Sequence, residues 1–230
     1  MLKSFTMFTK LWSFFIVYKS TCFIYLLLFS SFVYSQKIDT LIDNGVYHSF
    51  FNYSLKEPIF VRYKLYNGGG DCSRKGFNFK SEDFTAKKKD YAHSGYDIGH
   101  LANAEDFAFD CQKDEATFRF YNALPQTANL NRGVWKVDET DIRELSKTDT
   151  LLILCGGVFN DSLYIGDCVS VPNYCWKIVY SYSQNKIVLC KLYTNTRVGA
   201  TSTDISPSII ISYIKIDILK YLNYNYKNIN

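Results

Sequence analysis

Two segments separated by roughly thirty residues carry side chains that could do chemistry together. The first is Tyr96-Asp97-Ile98-Gly99-His100-Leu101-Ala102; the second runs from Asn122 through Pro125-Gln126 to Asn131, Trp135 and Glu139. They supply a histidine beside a glycine, an amide oxygen and a carboxylate. A neutral imidazole, with an ordinary pKa of about 6.5, can take a proton from water. Oxygen ligands suit a hard cation. One such base and one such cation are the minimum for metal-assisted hydrolysis of a phosphodiester.

Asn131, Trp135, Glu139 and Arg143 are spaced four apart. Each step of four along an α-helix drifts only about 40°, so a continuous helix puts all four on one side. Each also has a plainer reading. Glu139 and Arg143 could be a solvated i,i+4 ion pair worth a few tenths of a kcal/mol. Asn131 could be a helix cap, and Trp135 packs in the core whatever the function. A lone histidine is more often a hydrogen-bonded structural residue, which is the reading kept for His48 and His93. The chemistry therefore requires that the His100 segment and the helix meet.

The elements that must bring them together are legible in outline. Ile59–Leu65 alternates and reads as a strand, and Asn67-Gly68-Gly69-Gly70-Asp71 as a loop. Residues 71–95 are polar and irregular. Thr127–Lys147 is the strongest helix pattern, with no proline inside it. Leu151–Cys155 is a buried strand, expected to stop at Gly156-Gly157. Trp176–Tyr182 and Lys186–Tyr193 form a hairpin around Ser183-Gln184-Asn185. Residues 207–224 are expected to add a closing strand and helix, with a frayed tail from Asn223. No repeat or Pro/Gly/Ser linker divides the chain, so residues 36–230 are expected to form a single α+β domain, a central mostly antiparallel sheet flanked by helices.

The 230 residues are 47% apolar, 21% charged and 17% aromatic, which excludes a disordered chain. Residues 1–35 carry Lys3, Lys10 and Lys19, no acid, and an apolar run Cys22–Phe29 before Ser35, which reads as a signal peptide cleaved after Ser35. An uncleaved anchor is the alternative, since residues 11–33 nearly span a bilayer. Either way the expected address is secreted, periplasmic or membrane-anchored. Three of the 26 basic residues and none of the 22 acidic ones lie in that segment, so the remainder balances 23 against 22, a charge of +1. Net charge thus gives no argument for a polyanion partner. Six cysteines remain beyond Cys22: Cys72, Cys111, Cys155, Cys168, Cys175 and Cys190. An even number in an exported chain suggests disulfides, with fifteen pairings open. The absence of Cys-x-x-Cys spacing argues against a zinc site.

Asp97-Ile98-Gly99-His100-Leu101-Ala102, with Asp106-Phe107 beyond it, resembles the Asp-Arg-Gly-His signature of the DNA/RNA non-specific endonucleases, the ββα-metal nucleases. Asn122-Ala123-Leu124-Pro125-Gln126 through Leu130-Asn131-Arg132-Gly133-Val134-Trp135 to Glu139 resembles their metal-binding helix. Gly156–Phe159 and Val171–Lys177 look like their later strands. The resemblance implies a ββα-metal motif, a Mg²⁺ ion (Mn²⁺ as alternative) and DNA and RNA as substrates. It implies His100 as general base, Asn131 as the direct metal ligand, Glu139 as the residue that orients metal-bound water, and Arg143 as a phosphate contact. It implies a supporting role for Asn122 and a phosphate-binding role for Arg74. Lys87, Lys88 and Arg132 are further candidates for substrate binding. The family usually has a basic residue where this chain has Ile98, a loss that Lys87, Lys88, Arg119 or Arg132 could offset. A nucleic-acid-binding protein of the same fold with weak or lost cleavage is the alternative. Neither an inhibitor partner nor a monomeric or dimeric state is legible in the sequence.

Overall fold

The computed structural model describes residues 36–160 and 163–222. The expected signal peptide and the tail from residue 223 lie outside the described residues.

The described residues begin with three strands, β1 (Thr40–Asp43), β2 (His48–Asn52) and β3 (Glu57–Leu65). A short helix α1 (Lys88–Tyr91) leads to β4 (Asp97–His100), then helix α2 (Cys111–Ala116) and β5 (Ala123–Gln126). Helix α3 (Trp135–Leu145) follows, then β6 (Leu151–Val158) and a small hairpin of β7 (Tyr164–Ile165) and β8 (Val169–Ser170). Then come β9 (Tyr174–Ser181), β10 (Lys186–Thr194), β11 (Ser202–Asp204) and helix α4 (Pro207–Ile214).

Seven strands form one antiparallel sheet in the order β1-β2-β3-β6-β9-β10-β11. Successive side chains on a strand face opposite ways, and both faces are covered. On β6, Leu151, Ile153 and Cys155 pack in a core with Leu101, Leu124, Leu130, Trp135 and Ile142. Leu152 and Leu154 pack on the other side with Trp176, Ile210, Ile214 and Ile218. This double burial explains the unbroken apolar run of β6.

Two expectations need correction. Gly156 and Gly157 do not end β6; the strand continues to Val158. A Cβ on Gly156 would sit 2.1 Å from the Ile59 carbonyl oxygen, so glycine here permits close approach of β3. Residues 207–222 contain α4 and a 3₁₀ turn, Ile218–Tyr221, and no strand, because this segment lays an apolar face on the outer side of the sheet. Among the described residues one disulfide forms, Cys72–Cys111. Cys155, Cys168, Cys175 and Cys190 are free. Cys155 lies opposite Lys177 and Cys175 opposite Gly157, so neither of these buried thiols directly faces the other across the β6–β9 pair.

The ribbon β4–β5 lies outside the large sheet, with Asp97 opposite Gln126 and His100 opposite Ala123. Followed by α3, it makes the ββα unit that positions the site.

Candidate active site

His100 ends β4 with its ring between Phe79 and Phe118, at centroid distances of 4.6 and 4.7 Å. Its Nε2 is closed to water and has no hydrogen-bond partner. Gly99 before it is forced by packing, since a Cβ there would meet Gln126 Oε1 at 2.1 Å. After it the backbone is pinned by Asn122. That carboxamide accepts from Ala102 N (2.8 Å) and donates to Ala102 O and Thr117 O (2.9 Å each). Asn122 is fully buried and lies outside the cavity lining; it fixes the path of the chain leaving His100.

The expected single helix over Thr127–Lys147 is two pieces. Leu130–Val134 is a wide turn broken at Gly133 (φ −106°, ψ −114°), and regular helix starts at Trp135. Asn131 therefore belongs to the turn, and the four-residue spacing does not set its direction. Its direction is set instead by Asp97: Asn131 Nδ2 donates to Asp97 Oδ2 at 3.0 Å. Arg132 grips the same carboxylate through two hydrogen bonds, of 2.7 and 2.6 Å. The Arg132 pair, opposed by desolvation and aided by Asn131, holds the Asp97 carboxyl below its usual range. Trp135, 1% exposed, is in the core as its type requires.

These parts meet at a cavity of about 630 Å³. Ile98 and His100 enter it from β4. Asn131, Arg132, Glu139 and Arg143 enter from the turn and α3. Arg74 enters from the long loop after β3. Arg74 is tied to Glu105 (2.7 Å) and to Asp114 on α2 (3.0 Å), beside the Cys72–Cys111 bond. Arg143 is held by Asp106 at 3.1 Å, and Asp106 also accepts from the Tyr63 hydroxyl at 2.9 Å. Lys87 and Lys88 are exposed and lie outside the lining, and so does Arg119, which pairs with Glu82. Lys136 and Thr140 line the cavity and were not anticipated. For Thr140 the available signal was its i+4 step from Lys136 on α3; the step from Arg132 to Lys136 crosses the break at Gly133 and carries none. Lys177 and Asp106 lie behind it. A lysine at an inward position of a central strand is uncommon enough to have marked Lys177.

Burial dominates the site's protonation. It lowers the His100 pKa to about 3, helped by the Arg74 charge, so the ring is neutral at neutral pH. Burial raises Glu139 to about 7, with Asp106 adding and Lys177 and Arg143 opposing. It raises Asp106 to about 6 against the pull of Arg143. A neutral base, an acid poised near neutrality and three guanidinium groups thus share one cavity. Perturbed groups collected in a cleft are the mark of a reaction centre.

A family model described as DNA/RNA non-specific endonuclease matches residues 29–226. The chain belongs to the DNA/RNA non-specific endonuclease family. Among its relatives, a nuclease of Nostoc sp. is 34% identical over 120 residues, covering 52% of this chain and 44% of that protein. Mitochondrial endonuclease G of Bos taurus is 32% identical over 93 residues, covering 38% of this chain and 31% of that one. The chain therefore spans under half the length of these relatives. A solved structure of EndoG in complex with EndoGI superposes with a TM-score of 0.69 over 84% of this chain and 88% of that one, at 21% identity, which shows a shared fold.

Proposed function

We propose that this chain is an exported, divalent-metal-dependent endonuclease that cuts internal phosphodiester bonds of DNA and RNA. The observation that carries the reading is the convergence of His100, Asn131, Glu139, Arg74 and Arg143 on one cavity.

The donor set fits a lightly held hard cation. Among the described residues no three His, Cys, Asp or Glu side chains group to cage a metal. Asn131 has its amide nitrogen engaged on Asp97, which leaves its oxygen as a donor. Mg²⁺ keeps most of its waters and needs few protein ligands, so Asn131 would hold it, with Glu139 steadying its water. When bound, the ion would offset charge on the phosphoryl oxygens and on the departing oxygen.

The side chains supply the remaining chemistry. Arg74 and Arg143 neutralise and orient the phosphate. Neutral His100 takes a proton from the attacking water through Nδ1, the ring nitrogen that is not closed off, as the water oxygen bonds to phosphorus. The bond from phosphorus to the 3′-oxygen breaks, and that oxygen is protonated from solvent, leaving 5′-phosphate and 3′-hydroxyl ends. Contacts to phosphate carry no sequence information directly, which fits broad specificity. Arg132 supplies a cation at the cavity edge where Ile98 supplies none, and Asn122 supports the strand that carries His100.

Export is supported by the composition of residues 1–35 and by the Cys72–Cys111 bond, which favours an oxidising compartment. The test is nicking of supercoiled plasmid with Mg²⁺, with chelator, and with His100→Ala. Cleavage abolished by chelator and by the substitution is the expected result. Wild-type protein that binds DNA and never nicks it would sink the reading. Mass spectrometry of exported protein beginning at Gln36 tests the cleavage point.

A further inference from the structure

Lys177 is 1% exposed, on the central strand β9, and its side chain faces α3. Its Nζ is 3.9 Å from the Trp135 ring centroid and 3.9 Å from Glu139 Oε1. Both distances exceed a hydrogen bond, and an ammonium taken this far from water is costly unless something requires it.

The neighbouring strand shows what a docking pair looks like. Lys191, opposite Lys177 on β10, donates to Asp138 at 2.6 Å, and Tyr193 donates to the same carboxylate at 2.8 Å. That pair already ties α3 to the sheet. Lys177 meets the next residue of the helix, Glu139, without closing a hydrogen bond on it. The carboxylate is thereby attracted from beneath while it lines the cavity above. The ring of Trp135 holds the ammonium in place.

We propose that Lys177 is a positioning residue for the reaction: its buried ammonium, seated on Trp135, holds the Glu139 carboxylate at the cavity floor. This rests on the function proposed above. The titratable groups facing Glu139 are Lys177, Asp106, Arg143, Tyr63, Cys155 and Tyr193, with the Trp135 indole beside them. Lys177 and Arg143 are the cations among them, and Arg143 is already committed to Asp106.

The experiment is a double-mutant cycle on nicking rate with Lys177→Met and Glu139→Gln. Loss of a residue that orients a reacting group typically costs about 10–100-fold. Lys177→Met is expected to lose that much in the wild-type background and less than about twofold in Glu139→Gln, because its effect passes through the carboxylate. Equal losses in both backgrounds, or a rate within about twofold of wild type for Lys177→Met, would overturn the proposal. A second arm needs no cleavage: carboxyl NMR of chelated protein should show Glu139 titrating at higher pH in Lys177→Met, and an unmoved midpoint overturns the proposal equally. If methionine prevents folding, Lys177→Gln carries both comparisons. Failure of wild-type protein to cleave would remove the proposed function and leave the NMR arm standing.

Discussion

Asp97 holds Asn131 by its amide nitrogen at 3.0 Å and so leaves the carboxamide oxygen as the free end. The same carboxylate takes both arms of Arg132. One acidic side chain on β4 thereby orients a proposed metal ligand and a cavity cation, both on the turn before α3.

Asp97→Ala should therefore weaken the metal response more than it weakens the fold. The Arg132 pair is exposed and contributes little stability. Loss of an orienting partner costs about 10–100-fold in metal affinity or activity. The check is nicking rate against Mg²⁺ concentration. A half-saturation point unchanged from wild type contradicts the assignment.

Cleavage should depend on pH through Glu139 and not through His100. With His100 held at about 3, its ring is already neutral across the neutral range. Glu139, at about 7, must lose its proton to act. kcat/KM should fall about tenfold per unit as pH drops below that point. A profile flat down to the ordinary carboxylate range would place Glu139 outside the reaction.

The same group sets a stability trend. Folded Glu139 binds its proton more tightly than the unfolded chain does, so stability falls as pH rises from the ordinary carboxylate range to about 7, and no further above it. Glu139→Gln removes that penalty. Its melting temperature in chelator should gain on wild type between about pH 5 and about pH 8, while activity is lost. A gap that stays constant or narrows rules this out.

The Cys72–Cys111 bond closes a loop with a sequence separation of 39 that contains Arg74, His100 and Glu105. A loop of that length contributes about 4 kcal/mol in the chain-entropy account. Cys72→Ser should lower the melting temperature and reduce cleavage together, since the bond lies beside the Arg74–Asp114 pair. Full activity with an unchanged melting temperature would count against it.

Gly156→Ala should unfold much of the protein, because its Cβ would lie 2.1 Å from the Ile59 carbonyl oxygen and neither central strand can move aside. Circular dichroism at room temperature tests this.

The residue order alone determined the antiparallel α+β class, the β9–β10 hairpin and the His100 and Asn131–Arg143 segments that line the cavity. Those features follow from periodicity and side-chain type, which are local properties. Four others were decided only in three dimensions. Asn131 takes its direction from Asp97, 34 residues away, since the helix breaks at Gly133. Six cysteines could pair in many ways, and the fold brought one pair together. Lys87 and Lys88, candidates for substrate binding in sequence, lie exposed and outside the cavity lining, a placement that only the fold gives. The raised Glu139 and the buried Lys177 beneath it come from strands and a helix far apart in the chain, because burial and charge proximity act through space.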